Sequence, residues 1–148
     1  NRFDLVINIF AKDAFFKNKI NVYGGTQWRP NIHVDDVANG IIKVLEAPIQ
    51  KVERKIFNLT NSKENFKIKD IAFKVGKIFK GCKISILNKN NDNRNYRVTS
   101  KKIEKILKFK AKHNVKNSLK NFKKIFKNKK IENPFLKKFS NFESLKIE

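Results

Sequence analysis

Residues 3–87 alternate between segments with a helical hydrophobic period and short apolar runs, and this order constrains the fold more than any other feature of the sequence. Apolar residues recur every three or four positions, a period that predicts helices, over residues 3–17, 35–45 and 69–79. Short apolar or alternating runs predict strands over residues 20–23, 32–34, 55–59 and 82–87. Helices and strands that alternate in this way predict an α/β fold.

Residues at the ends of these segments predict where the chain turns. Gly24-Gly25 predicts a turn after the first strand, because glycine adopts turn conformations at little cost. Asp35 is the expected N-cap of the second helix, and Gly81 follows the third helix where a C-terminal cap is expected.

The last third of the chain predicts helices at the periphery of the fold. Residues 88–95 form a polar loop, after which Ser100 is expected to cap a helix. A second helix is predicted over residues 116–128. Three phenylalanines in the tail also have helical spacing: Phe135, Phe139 and Phe142.

The formal net charge of +22 allows two explanations. Residues 101–130 contain thirteen lysines and one acidic residue, Glu104, so a basic nucleic-acid-binding module over 101–130 is one possible function. However, Lys, Asn, Ile and Phe together fill 82 positions, and all four have A/T-rich codons. Selection for phosphate binding favours Arg instead, and the chain has 30 Lys against 5 Arg. Codon bias therefore explains the composition better, although the nucleic-acid alternative stays open.

Several other classes of protein lack support in the sequence. One Cys and two His form no recognisable metal-ligand pattern, so no metal site is predicted. No apolar run approaches the roughly 20 residues of a membrane span, and no leader is recognised. A cytoplasmic location without a membrane partner is therefore expected.

Four segments resemble one enzyme family, in order and in spacing. Residues 20–38 read INVYGGTQWRPNIHVDDVA, and the other three segments are RFDLVINIF (2–10), IFNLTN (56–61) and NRNYRVTSKKIEKILKF (93–109). They are similar to the C-terminal part of extended short-chain dehydrogenases/reductases, the NAD-dependent epimerases and dehydratases of nucleotide sugars. In the last segment, Lys108 replaces a family glycine where a left-handed helix cap is expected.

The resemblance implies that the chain is the substrate-binding portion of an extended Rossmann-type fold, with short strands and peripheral helices. Residues 1–128 would form that portion and 129–148 a basic tail. The family's NAD- or NADP-binding glycine motif and its Tyr-x-x-x-Lys catalytic pair lie in an N-terminal half that does not match this sequence. Since the chain also contains no Met, we expect it to be a piece of a longer, homodimeric enzyme and to be inactive alone.

The resemblance further implies a nucleotide-sugar substrate and indicates which residues would bind it. Arg29 corresponds to the family's pyrophosphate-binding arginine, and Arg94 resembles the second such arginine, with Arg97 as its substitute. A structural alternative for Arg29 is a salt bridge to Asp35 or Asp36.

Three uncharged residues complete the predicted substrate site. Tyr23 corresponds to a position beside the nucleotide base, although a half-buried strand aromatic is an equally good interpretation. Asn21 is next to it along the strand, and Asn8 lies on the first helix.

Overall fold

The computed structural model describes residues 2–88 and 92–141 and has the α/β architecture that the sequence predicts. In chain order its elements are α1 (Val6–Phe16), β1 (Lys19–Tyr23), β2 (Trp28–Pro30), α2 (Val34–Leu45), α3 (Ile49–Val52), β3 (Asn65–Lys67), α4 (Ile68–Ile78), β4 (Lys83–Leu87), α5 (Lys101–Leu107), α6 (Val115–Lys127) and a 3₁₀ turn (Lys137–Phe139). The long helices α1, α2, α4 and α6 overlap the predicted ones, as do strands β1 and β4.

The central pair of strands is parallel. β1 and β4 run in register from Lys19 opposite Lys83 to Tyr23 opposite Leu87. Parallel strands need a long crossover connection, and here α4 lies in that connection and packs on both strands. Ile20 and Val22 of β1 are fully buried, while the alternating residues Lys19, Asn21 and Tyr23 are exposed, so this strand presents one apolar face to the helices.

A second, short pair of strands supports the candidate site. β2 and β3 are antiparallel, with Arg29 opposite Phe66. Each has only three residues, which is too short for hydrophobic alternation to be recognised, and neither strand is predicted from the sequence. The segment predicted as a strand at 32–34 instead contains the end of an irregular connection and the first residue of α2.

The predicted strand at 55–59 is wrong. These residues form no strand, and Ile56 is 84% exposed. A strand needs a hydrogen-bonding neighbour, and the described sheets pair β1 with β4 and β2 with β3 only. Leu59 instead packs on α2 at Gly40, where a Cβ atom would lie 2.4 Å from Leu59 Cδ2. Apolar residues here therefore indicate contact with a helix.

One predicted cap lies two residues from the observed cap, and another makes different hydrogen bonds from those expected. His33, not Asp35, is the N-cap of α2, and its Nδ1 accepts a hydrogen bond from the Asp35 N–H at 3.2 Å. Ser100 precedes α5 as predicted but makes no capping bond, because its hydroxyl faces Thr60 O at 2.8 Å and Glu104 Oε1 at 2.6 Å instead. Lys108 adopts the predicted left-handed conformation, with φ 55°.

Residues 131–141 pack against the beginning of the chain. Phe3 N–H donates to Phe139 O at 2.7 Å, and the two phenyl rings are 5.6 Å apart. Ile131 is buried. The predicted helical spacing of the tail phenylalanines is realised only as the 3₁₀ turn, because Phe135 precedes that turn and Phe142 lies outside the described residues. The boundary at residue 128 stays a prediction.

An ion pair at this contact makes the attachment of residues 131–141 sensitive to acid. Arg2 binds both carboxylate oxygens of Asp4 at 2.9 Å, and the Asn141 N–H donates to Asp4 at 3.0 Å. Mainly through the Arg2 hydrogen bonds, the pKa of Asp4 is lowered to about 2. A carboxyl with a lowered folded-state pKa stabilises the fold above its unfolded pKa, here roughly 3.9, and loses that contribution as the pH falls toward 2.

We therefore expect Asp4→Asn to lower stability at neutral pH and to flatten the loss of stability between about pH 4 and 2. The effect should be small, since exposed ion pairs contribute little. Melting temperatures of both proteins across this range measure it, and Arg2→Ala should change them in the same direction. Parallel curves for Asp4→Asn and the unchanged chain would contradict the prediction.

None of the helices in the described ranges is both long and apolar enough to cross a membrane.

Candidate functional site

The loop of residues 92–97 lies against β2 and brings three of the predicted site residues to one surface. Asn95 Oδ1 accepts a hydrogen bond from the Trp28 N–H at 2.9 Å. This contact joins positions 67 residues apart in sequence, so the arrangement depends on the fold rather than on local spacing. As a result Arg29, on β2, faces Arg94, in the loop.

The two arginines share one carboxylate. Arg29 Nη2 and Arg94 Nη2 each lie 2.8 Å from Asp92 Oδ2, and Arg94 Nε lies 2.8 Å from Asp92 Oδ1. Arg29 also donates to the carbonyl oxygens of Trp28 and Arg94. We call Arg29, Asp92 and Arg94 the arginine cluster. The salt-bridge partner of Arg29 is therefore Asp92, and not Asp35 or Asp36 as the structural alternative proposed.

The cluster stays charged over the neutral range. Hydrogen bonds from Arg94 and then from Arg29 hold the pKa of Asp92 well below its usual range, and the Asp92 carboxylate raises the pKa of Arg94. Two positive charges and one negative charge leave the cluster with a net charge of +1. The Arg29 side chain is 13% exposed and that of Arg94 is 73% exposed, so one cation is fixed in the fold and the other reaches solvent.

Aromatic rings and further cations border the cluster. The guanidinium of Arg29 lies 5.4 Å from the centre of the Tyr96 ring, and that of Arg97 lies 5.0 Å from the Trp28 ring. The ammonium of Lys67 is 5.6 Å from the same Trp28 ring. Trp28 and residues 95–97 line an open pocket of about 320 Å³. A flat aromatic or anionic ligand therefore finds both rings and cations on this surface.

The uncharged site residues occupy other positions. Tyr23 ends β1 and is 47% exposed, and its carbonyl accepts a hydrogen bond from Gln27 at 3.3 Å, one residue before Trp28. Asn21 lies on the exposed face of β1 opposite Ser85. Asn8 lies on α1 and donates to the Arg2 carbonyl. A role for any of these three in binding stays a prediction.

Asp92 is the main member of the site that the sequence analysis does not identify. A local signal exists, because Asp92 precedes Arg94 by two residues in a loop that is otherwise rich in Asn. Its contact with Arg29 is 63 positions away along the chain and has no such signal. Trp28, which the sequence predicts to pack at the loop rather than to stack on a ligand, borders the cluster through its hydrogen bond to Asn95.

The residues at the Gly24-Gly25 turn do not fit a dinucleotide phosphate. The Gly24 N–H donates to Leu87 O at 2.9 Å and the Gly25 N–H to Gln27 Oε1 at 2.8 Å, so neither is available to a phosphate. A Cβ at Gly25 would lie 3.0 Å from Val22 Cγ1, and Gly25 has φ 93°. The glycine therefore serves close packing within the fold.

Comparison with known proteins confirms the resemblance found in the sequence. Residues 2–60 match the family described as NAD dependent epimerase/dehydratase family. These residues include the complete INVYGGTQWRPNIHVDDVA segment and Arg29. Over residues 2–60 the sequence is thus similar to that of NAD-dependent epimerases and dehydratases. No curated protein sequence matches the chain.

Solved structures share the fold. A dTDP-glucose 4,6-dehydratase from Bacillus anthracis str. Ames, in complex with NAD, has 16% identity and a TM-score of 0.69, over 88% of this chain and 42% of that chain. A UDP-N-acetylglucosamine 4-epimerase from Bacillus cereus has 18% identity and a TM-score of 0.67, over 84% and 43%. An L-threonine dehydrogenase from Phytophthora infestans has 9% identity and a TM-score of 0.70, over 82% and 41%. The chain therefore spans about two fifths of the length of these structures.

Proposed function

We propose that this chain is the substrate-binding portion of an NAD-dependent nucleotide-sugar epimerase or dehydratase, and that its arginine cluster holds the diphosphate of the substrate. The observation that carries the proposal is the pair of guanidiniums on one carboxylate oxygen, each at 2.8 Å. A diphosphate offers the same type of anionic oxygen with more charge, and Arg forms bidentate, charge-assisted bonds with it. Tyr96 and Trp28 beside the cluster offer ring surfaces to a nucleotide base.

The diphosphate would replace Asp92 between the two arginines. Asp92 holds both guanidiniums in place before a ligand arrives, which lowers the cost of ordering them on binding. The same carboxylate then competes with the ligand for the same donors. Binding therefore depends on a ligand whose charge exceeds that of one carboxylate, and this favours diphosphates over monoanions.

The remaining parts of the proposal follow from the resemblance. The NAD or NADP, the catalytic Tyr-x-x-x-Lys pair and the hydride transfer belong to a longer enzyme, in which this chain would hold the sugar close to the reacting groups. A homodimer of that enzyme, a role in carbohydrate metabolism, a cytoplasmic location and the inactivity of this chain alone are part of the same proposal. The L-threonine dehydrogenase shares the fold but is named for a substrate that is not a nucleotide sugar, so the arginine cluster, and not the fold, supports a nucleotide sugar.

Arg29→Ala is expected to weaken the binding of UDP and of inorganic pyrophosphate by about 10- to 100-fold, since a hydrogen bond to a charged group contributes roughly 1.5–3 kcal/mol. Trp28 is the only tryptophan and borders the cluster, so its fluorescence can report the titration. Arg54→Ala is the matched control, because Arg54 is an exposed arginine outside the cluster. It removes the same charge and should leave binding nearly unchanged.

Asp92→Asn separates ligand binding from a purely structural ion pair. If the diphosphate competes with Asp92, this variant should bind pyrophosphate severalfold more tightly, because the amide carries no competing charge. If the cluster only holds the loop, Asp92→Asn should not tighten binding and Arg29→Ala should behave like Arg54→Ala. That pair of results would refute the proposal.

The same titration with duplex DNA tests the alternative of a nucleic-acid-binding module over residues 101–130. Lys116, Lys120, Lys124 and Lys127 are exposed along α6, so they could contact phosphates. Tight DNA binding that falls steeply with salt would favour that alternative. A diphosphate preference that depends on Arg29 would favour the enzyme.

A further inference from the structure

Two histidines from distant parts of the sequence stack beside an exposed aspartate. His33 precedes α2 and His113 lies between α5 and α6, and their ring centres are 4.3 Å apart with an angle of 23° between the planes. His33, Asp35 and His113 each offer one possible metal-ligand atom, and these three atoms lie within 4.8 Å of one another. The sequence predicts no metal site because its two histidines are 80 positions apart.

Asp36 fixes the tautomer and orientation of the neutral His113 ring. The Asp36 side chain is 1% exposed and accepts the backbone N–H groups of Lys112 and His113, each at 3.0 Å. The His113 Nδ1 atom lies 3.0 Å from Asp36 Oδ1. An ionised carboxylate can only accept, so His113 donates its Nδ1 proton and keeps a lone pair on Nε2. A carboxylate behind a histidine in this way orients the ring and raises its basicity as a metal ligand.

His33 carries its lone pair on the other ring nitrogen. Its Nδ1 accepts the Asp35 N–H at 3.2 Å and lies 3.6 Å from Asp35 Oδ2. A metal ion at this nitrogen would replace the capping hydrogen bond and be reached by the Asp35 carboxylate. The side chains of His33, Asp35 and His113 are 30%, 64% and 39% exposed, so all three can be reached from solvent.

From this arrangement we infer that His33, Asp35 and His113 form a site for a divalent zinc ion. Two imidazoles and one carboxylate match the preference of Zn²⁺ for nitrogen ligands and leave a fourth position for water. Zn–N bonds of about 2.1 Å require donor atoms roughly 3.4 Å apart. The ligand atoms lie within 4.8 Å of one another, so the side chains must move closer by up to about 1.4 Å. The inference is independent of the diphosphate site, which uses other residues.

The charge of the chain opposes cation binding, but only over long distances. The formal net charge is +22, whereas Asp35 and Asp36 place two carboxylates next to the histidines. At 0.15 M salt, charges farther apart than about 8 Å are largely screened, which weakens the effect on the site of lysines beyond that distance. The test should therefore be made near physiological ionic strength.

A calorimetric titration of the full 148-residue chain with Zn²⁺ tests the inference. We expect one ion per chain, and His113→Gln should weaken binding by about 10- to 100-fold. Asp35→Asn should weaken it about tenfold, since it removes one charged ligand. Asp70→Asn is the matched control, because Asp70 lies in the first turn of α4 as Asp35 does in that of α2. It should bind Zn²⁺ like the unchanged chain.

The imidazole signals in nuclear magnetic resonance spectra give a second readout, since the chain has only two histidines. Addition of Zn²⁺ should shift the signals of both rings, and both changes should be complete at the same ratio of Zn²⁺ to protein. Melting temperatures measured in EDTA show whether each variant is folded. If His113→Gln does not fold, Asp35→Asn still tests the site, because it keeps both histidines. Binding that neither variant weakens, or that leaves both imidazoles unshifted, would overturn the inference.

Discussion

Replacing Phe126 with alanine is expected to lower the free energy of unfolding by about 4 kcal/mol, because removing a buried phenyl ring costs roughly 3–5 kcal/mol. Phe126 lies on α6 and is 3% exposed. Its ring centre lies between 5.2 and 5.9 Å from four other phenylalanine rings, those of Phe3, Phe15, Phe16 and Phe122. The residue therefore joins α6 to α1 and to the beginning of the chain.

Urea unfolding, followed by Trp28 fluorescence and by circular dichroism, measures this change. A protein of this kind has a total stability of about 5–15 kcal/mol, so Phe126→Ala could leave much of the chain unfolded. Phe126→Leu keeps more volume and should cost about 1.5 kcal/mol, which keeps the prediction measurable. Phe73→Ala is the matched control, since Phe73 lies on helix α4 and is 47% exposed. A similar loss in Phe73→Ala and Phe126→Ala would contradict the assignment of the core.

The phenylalanines also show why composition alone is a poor guide to this chain. The number of phenylalanines, 14, is explained by a bias toward A/T-rich codons. Several of them nevertheless form the contact between α1 and α6. The lysines of α6 complement this packing. Lys116, Lys120, Lys124 and Lys127 lie on the exposed side of the helix, while Val115, Leu119 and Phe126 are buried. A high net charge is thus compatible with an ordinary amphipathic helix.

The fold could be predicted from the sequence wherever an element is long enough to show a period. Helices α1, α2, α4 and α6 have 11 to 13 residues, and each shows its apolar side in the sequence. Strands β2 and β3 have three residues each and exist because they pair with each other. The segment 55–59 fails for the converse reason, since an apolar run with no strand beside it packs on α2 instead. Short strands depend on neighbours that sequence spacing does not reveal.

The candidate site was predictable to the same extent. The excess of Lys over Arg makes each arginine distinctive, and the resemblance selects Arg29 and Arg94, which the structure places in one cluster. Their common partner, Asp92, could not be assigned to Arg29 because the contact spans 63 positions. The contact between His113 and Asp36 spans 77 positions and is equally invisible in the sequence. The sequence could therefore single out the two arginines, whose binding role stays a prediction, but not the contacts that they and His113 make.

Asp36 is the buried charge on which the connection between α2 and the segment before α6 depends. Burial raises the pKa of this carboxyl. The N–H groups of Lys112 and His113 and the His113 ring together lower it by more, so the net shift is downward. The carboxylate therefore stays ionised inside the fold with three donors around it. Two other hydrogen bonds hold the same segment, from Asn61 to His113 O and from the Val115 N–H to Glu64.

Asp36→Ala is expected to lower the free energy of unfolding by about 3 kcal/mol, since two backbone N–H groups lose their partner and each unsatisfied buried donor costs roughly 1–3 kcal/mol. The bonds from Asn61 to His113 O and from the Val115 N–H to Glu64 remain, so the chain should stay folded and the loss should be measurable in urea. Asp35→Asn, at the adjacent and 64% exposed aspartate, should cost under about 1 kcal/mol. Asp36→Asn should fall between them, because an amide keeps one acceptor oxygen but adds donors that face other donors. Equal losses for Asp35→Asn and Asp36→Ala would show that the buried Asp36 carboxylate does not determine stability here.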